Sequence, residues 1–182
     1  ERFLYHADRM GYLCWGEFAD WGIDPDRPDA TIVAQWLEAL ERDYSHPSII
    51  GWCPLNETSK AIGDQIDGLH DLTHALYLAT RAYDSTRPVI DASGYAHRVV
   101  DADIYDSHDY DQNPSTFRER HAGTVAGDVF INKPWQLGRQ HETISVPYAG
   151  QPYFVSEFGG IWWNPDARPG EDSWGYGDRC KT

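Results

Sequence analysis

The sequence predicts an α/β protein with parallel strands, a segment of a parallel (β/α) barrel of the TIM type. Three observations predict it. Short apolar runs alternate with longer stretches of helical periodicity, the pattern of βαβ units and a parallel sheet. Polar and ionisable residues gather where strands give way to helices, which in such a barrel is the face that carries active sites. About five strands fit into the 182 residues, whereas a whole barrel has eight in about 250 residues. The chain is therefore read as one partial domain, 1–182, running from about the third strand to the seventh.

The elements follow in order. Phe3, Leu4, Ala7 and Met10 form a helical stripe over 2–10, closed by Gly11. Residues 12–15 read as a strand, followed by Gly16 and Glu17. A turn-rich loop spans 20–27, and Asp29 can cap the next helix. There Ile32, Val33, Trp36, Leu37 and Leu40 share a face, and Pro47 stops the helix near Asp43. Residues 49–53 are apolar throughout, which predicts a strand buried on both faces. It leads to Asn56 and Glu57. Gly63 and Gly68 mark a loop before a helix carrying Leu69, Leu72, Leu76 and Ala79, which ends near Tyr83.

After a turn at 84–88, residues 89–92 read as a strand that Ser93 and Gly94 break. Val99 and Val100 belong to a short connecting element. Residues 104–108 form a strand that enters the polar cluster Asp106, His108, Asp109, Tyr110 and Asp111. Residues 112–150 read as a helix plus a long excursion over the rim. Residues 153–155 form a strand of the same design as 49–53, ending in Glu157. The tail from Asn164 to Thr182 has no clear period.

Composition narrows the function. A net charge of −14 argues against nucleic acid and against an anionic membrane surface. No apolar run approaches the roughly 20 residues needed to span a bilayer. Cys14, Cys53 and Cys180 form no CxxC pair and read as reduced thiols, which favours a cytoplasmic setting. No charged-then-apolar leader opens the stretch, which begins in mid-pattern at Glu1-Arg2-Phe3-Leu4. Eight Trp and eleven Tyr exceed what a core of this size needs, and a pyranose packs its apolar face on such rings.

A carboxylate at the end of a buried strand belongs at a rim, where it keeps solvent or a partner. If the two similar strands lie side by side and parallel, Glu57 and Glu157 reach one rim, as cleavage of a glycosidic bond requires. One acid must then hold a proton near neutral pH while the other stays ionised. The Asn56 amide can bond a sugar hydroxyl beside the bond being cut. Gly159 and Gly160 let the backbone turn beside the substrate. Glu17 is a third strand-end carboxylate, either a salt-bridge partner or a substrate contact. Asp106, His108, Asp109 and Asp111 have donor types that suit a divalent cation, but their spacing matches no defined metal loop. No G-x-S-x-G elbow appears. Neither metal nor cofactor is expected.

The local sequences sharpen this reading. His46-Pro47-Ser48-Ile49-Ile50-Gly51-Trp52, leading to Asn56-Glu57, resembles the acid/base strand of glycoside hydrolase family 2, which contains β-galactosidases, β-glucuronidases and β-mannosidases. Asp84-Ser85-Thr86-Arg87-Pro88 and Phe154-Val155-Ser156-Glu157-Phe158-Gly159-Gly160 are similar to that family's turn and nucleophile strand. The resemblance covers nearly all of the chain except the excursion and tail. It implies a TIM-barrel catalytic domain and a retaining double displacement on β-glycosides, with a β-galactosidase-like specificity. Glu57 matches the general acid/base, Glu157 the nucleophile, and Asn56 the residue that contacts the sugar 2-hydroxyl. His108 or Tyr110 would orient the nucleophile, with Tyr110 slightly preferred, and Trp162 and Trp163 would floor the sugar site. Trp15 and Trp52 are expected to pack inside.

Pro54-Leu55 stands where the family more often has a Gly before Asn-Glu. Strands one, two and eight and the family's β-sandwich domains are not in this stretch, so further domains or a homo-oligomer are expected around it. The alternative is a non-catalytic carbohydrate-binding or structural piece of such a barrel. An open five-stranded parallel sheet would expose two edges and an apolar face.

Overall fold

The computed structural model describes residues 2–18, 30–58, 66–136, 139–166, 168 and 174–177. Helix α1 (Arg2–Met10) ends at Gly11, whose φ of +65° suits a residue without a Cβ. Strand β1 (Cys14–Glu17) runs parallel to β2 (Ile49–Cys53), with Glu17 opposite Cys53. Helices α2 (Ala30–Asp43) and α3 (Ile66–Tyr83) supply Trp36, Leu40, Leu72, Leu76 and Tyr77 to one core with Ile49, Trp52, Leu55 and Val89. Trp36 meets Trp52 edge-on, ring centroids 6.1 Å apart. A Cβ on Gly16 would come within 2.3 Å of the Trp52 ring, so only glycine lets β1 lie against it.

The turn after α3 locks this half. Asp84 is buried and accepts from Trp52 Nε1 at 2.8 Å, Thr86 N at 2.8 Å and Arg87 Nη1 at 2.7 Å. Burial pushes its carboxyl up, but the bonds from Thr86, Trp52 and Arg87 outweigh that and hold it well below the usual range.

Strand β3 (Tyr105–Asp109) runs parallel to β6 (Tyr153–Phe158), and His108 lies opposite Glu157. Between them in the chain, α4 (Pro114–Arg120) is capped by Asn113, which accepts from Ser115 N. The small antiparallel pair β4 (Trp135–Gln136) and β5 (Arg139–Gln140) belongs to the excursion. The expected class, a parallel β/α barrel segment, is the architecture formed.

Several details differ from expectation. Residues 89–93 touch the β2 region through two isolated parallel bridges, Trp52 to Val89 and Asn56 to Ser93, and form no full strand. Ile90 N–H and Ser93 N–H bond Trp52 O and Leu55 O, while the Asp91 carboxylate takes the N–H groups of Ala92, Arg98 and Val99, so the chain wraps around it. Among the described residues, the expected open five-stranded sheet is two separate parallel pairs, with residues 89–93 bridged to the β2 side. The strands carrying Glu57 and Glu157 are not neighbours, because β2 pairs with β1 and β6 with β3.

Nor is either strand buried on both faces. Ile50 is 49% exposed, and Phe154 and Phe158 of β6 are also exposed. The first strand starts at Cys14, two residues later than the pattern suggested, with Tyr12 and Leu13 exposed. Gly68 lies within α3, since one glycine costs a helix only about 1 kcal/mol. Cys14 and Cys53 are free and buried. Cys180, Asp29, Gly63 and the 20–27 loop lie outside the described residues. Among the described residues, no helix is long and apolar enough to cross a membrane.

Candidate functional site

The site is assembled from four segments. Glu57 follows β2 on a backbone with φ +47°, the one non-glycine residue at positive φ among those described. Its N–H is tied to Ser93 O at 3.0 Å. Such strain persists where the surroundings hold it, and it gathers at functional positions. Glu157 sits on β6, and His108 and Tyr110 come from the end of β3.

These four side chains meet. Glu57, His108 and Glu157 place one donor atom each within 4.8 Å of one another. His108 Nδ1 lies 2.7 Å from Glu57 Oε1. His108 Nε2 lies 3.4 Å from Glu157 Oε1 and makes no hydrogen bond. Tyr110 Oη donates to Glu157 Oε2 and lies 3.4 Å from Glu57 Oε1. Both acids keep partial solvent contact, while the His108 side chain is fully enclosed.

Burial pulls the His108 proton off, but the Glu57 hydrogen bond and the charges of Asp106 and Glu157 outweigh it, so the imidazole is held above its usual range. His108 therefore donates Nδ1–H to Glu57. Glu57, His108 and Glu157 are donor types that could hold a cation. Burial first, then its bond to Glu157 and the charge of Glu57, push the Tyr110 hydroxyl far up, so it remains a donor.

The other sequence candidates take different places. Asn56 Oδ1 accepts from Ser93 Oγ at 3.0 Å. Glu17 ends β1 and accepts from Trp15 Nε1 at 2.8 Å. Crowding by protein atoms raises its carboxyl and the charge of Glu157 adds to this, although the side chain keeps contact with solvent. Trp15 is thus half-buried with a polar task at the rim, while Trp52 is inside as expected. Trp162 is half-buried against Gly175, and Trp163 is 58% exposed. Another ring comes close to the site: Tyr176 stacks on Tyr110 with centroids 4.0 Å apart.

The polar cluster after β3 is divided among separate partners. Asp109 pairs with Arg120 and His121, and Asp111 with Arg120, which anchors α4. Asp106 accepts from Gly94 N and Ser156 Oγ. A Cβ on Gly94 would come 2.9 Å from His108 Cε1, so glycine at φ +86° is what lets His108 sit there. Tyr95 meets the His108 ring edge-on at 6.0 Å, and burial first, then the charge of Glu57, pushes its hydroxyl up to about 12. Sequence reasoning missed Tyr95, Tyr176, Ser93 and His97, because no strand-end position or periodicity marks them.

The family model described as "Glycosyl hydrolases family 2, TIM barrel domain" matches residues 14–153. Solved structures are similar in fold. A GH2 β-galacturonidase from Eisenbergiella tayi bound to galacturonate superposes with a TM-score of 0.64 at 17% identity, over 92% of this chain and 29% of its own. A β-glucuronidase from Ruminococcus gnavus in complex with an N1-substituted uronic isofagomine gives 0.60 at 18%, over 93% and 28%. A β-glucuronidase from an uncultured Clostridium gives 0.60 at 14%, over 92% and 29%. This chain thus spans less than a third of those proteins, and at these identities the likeness speaks for the fold alone. No curated protein matches the chain.

Proposed function

This chain belongs to glycosyl hydrolase family 2 through its TIM-barrel domain, and from that premise we propose that it carries the catalytic pair of a retaining β-glycoside hydrolase. The observation that carries the reading is the meeting of Glu57 and Glu157, with a carboxylate oxygen of each within 4.8 Å of the other. An inverting pair needs about 6.5–9.5 Å to admit a water, whereas a retaining pair stands about 5–5.5 Å apart.

Glu57 protonates the glycosidic oxygen as Glu157 attacks the anomeric carbon. The bond to the leaving group breaks and a glycosyl ester forms on Glu157. Glu57, now ionised, takes a proton from water, and that water's oxygen displaces Glu157 to give the sugar with retained configuration. Tyr110 supports the role of Glu157 by donating to one of its oxygens. Asn56, held by Ser93, presents its amide N–H to the sugar 2-hydroxyl.

The substrate we assign is a neutral β-hexoside of the β-galactoside kind. That class is the one the resemblance of the strands around Glu57 and Glu157 implies. Carbohydrate is the partner, and further barrel strands from a longer chain complete the site.

The test uses a full-length protein that closes the barrel and a panel of nitrophenyl β-galactoside, β-glucuronide, β-galacturonide and β-mannoside. Glu57→Gln and Glu157→Gln should each lower kcat by at least about 10²–10⁴-fold. Full activity in either variant would remove the assignment. Sugar binding without cleavage by the unmodified protein would favour the non-catalytic alternative. Fastest turnover of a uronide would overturn the substrate assignment alone.

A further inference from the structure

Behind the two glutamates runs a buried row of charge that the reaction as written does not use. Asp91, His97 and Asp106 are 0%, 1% and 0% exposed. His97 stands between the two carboxylates, with Nδ1 2.8 Å from Asp91 Oδ1 and Nε2 3.0 Å from Asp106 Oδ1. Its ring packs on Tyr105 with centroids 4.0 Å apart. At one end the row is tied to backbone, through the three N–H groups that Asp91 accepts. At the other end Asp106 Oδ2 lies 3.9 Å from His108 Nε2. The row therefore reaches the hidden edge of the imidazole whose other nitrogen holds Glu57.

Stability alone is a weak reason for such a row. Taking several charges out of water costs about what their mutual attraction returns, and well-packed apolar groups often serve as well. A continuous line of charge ending on a site residue has a second use, which is to fix that residue's proton. Burial would strip the His97 proton, but the flanking carboxylates outweigh it and hold the imidazole up to about 10. His97 is then a cation at neutral pH, set between the Asp91 and Asp106 carboxyl groups.

The groups facing His108 come from every neighbouring element. They are Glu57 from the turn after β2, Asp106 from β3, Tyr110 after β3, Tyr95 from the preceding loop and Glu157 from β6. Glu17 on β1 acts on this set through its charge. Facing Asp106 are His97, His108, Gly94 N–H and the Ser156 hydroxyl. Glu157 is consumed when the glycosyl ester forms, whereas Asp106 takes no part in that bond.

We propose that Asp106, held in place by His97, is a positioning residue of the catalytic site, fixing His108 with its Nδ1–H on Glu57 and setting the pH range in which the Glu57–His108 pair keeps its proton. The proposal rests on Glu57 as acid/base. A carboxyl and an imidazole 2.7 Å apart titrate as a pair, and nearby charge sets where the pair gives up its proton.

Two variants of the full-length protein test it, through kcat/KM against pH on the best nitrophenyl glycoside. The alkaline limb reports loss of the pair's proton. Asp106→Asn removes a negative charge and should move that limb down by on the order of one pH unit. His97→Gln removes a positive charge and should move it up. KM should change little in both. Limbs that coincide with the wild type, or that move in the same direction, overturn the proposal. Cooperative melting identifies folded variants, and if one fails to fold, the direction of the other decides. An active Glu57→Gln would sink the underlying assignment. An inactive Glu57→Gln with unmoved limbs would sink this proposal alone.

Discussion

In β2 the buried residues are Ile49, Gly51, Trp52 and Cys53; in β3 they are Tyr105, Asp106, Ser107, His108 and Asp109. Both strands lie inside the molecule, and they enclose different chemistry. Around β2 the filling is aromatic and aliphatic, and the deeply buried carboxylate of Asp84 spends its hydrogen bonds on its own turn and on Trp52. Around β3 the filling is polar, and its carboxylates and imidazoles contact one another and the two acids of the site. The first half gains from removing apolar area from water, roughly 25 cal/mol per Å². The second bears desolvation that only fixed partners can offset. The lesson is a division of labour: β1, β2, α2 and α3 supply the stability that lets β3 and β6 hold charge at fixed distances.

Four measurements on the full-length protein would break or sharpen that contrast. Asp84→Asn leaves Arg87 without its buried partner and should cost about 3–5 kcal/mol in denaturant unfolding, with little change in kcat. The two halves should also respond to pH in opposite ways. The Asp84 carboxyl is depressed, so its contribution is complete above the ordinary value of 3.8 and is lost as pH falls below it. His97 is raised, so its contribution is complete below 6.5 and is lost as pH climbs through about 10. Asp84→Asn should therefore flatten the acid side of a plot of Tm against pH and leave the alkaline side alone. Equal effects on both sides would dissolve the division.

Leu40→Ala, at a fully buried position, should lower stability by about 2–5 kcal/mol and leave the pH–rate profile in place. Tyr110→Phe should do the reverse. Loss of a hydrogen bond to a charged group, about 1.5–3 kcal/mol, corresponds to a roughly 10–150-fold lower kcat, while the melting curve stays close to wild type. A stability loss without a rate loss would move Tyr110 into the structural half. The smallest effect is expected at Lys133, which pairs with an exposed Glu142 at 2.9 Å. Lys133→Ala should change stability by less than about 0.5 kcal/mol.

Much of this was legible from residue order. The stripe of Trp36, Leu37 and Leu40 marked α2, and the apolar runs before Glu57 and near Glu157 marked the strands. The strand-end acids stood out because an ionisable group after an apolar run has few places to go. Other features were hidden. Residues 89–93 look like a strand from Val89 and Ile90, yet they make only isolated bridges to the β2 side, and the Asp91 carboxylate takes the N–H of Ala92 beside it. Tyr176 lies in an aperiodic tail, and only its stacking on Tyr110 reveals its place.

By itself the sequence determined the alternation of helix and strand, the family, and the two acids, because periodicity and local motifs are properties of near neighbours along the chain. Tertiary structure alone decided that Glu57 and Glu157 meet although their strands do not pair, that His108 bridges them, and that Asp91, His97 and Asp106 stand in line behind it. Those relations depend on how strands curve and which loops wrap buried carboxylates. Glu57, His108 and Glu157 lie 49 to 100 positions apart in the chain (157 − 108 and 157 − 57), and no local pattern encodes their meeting.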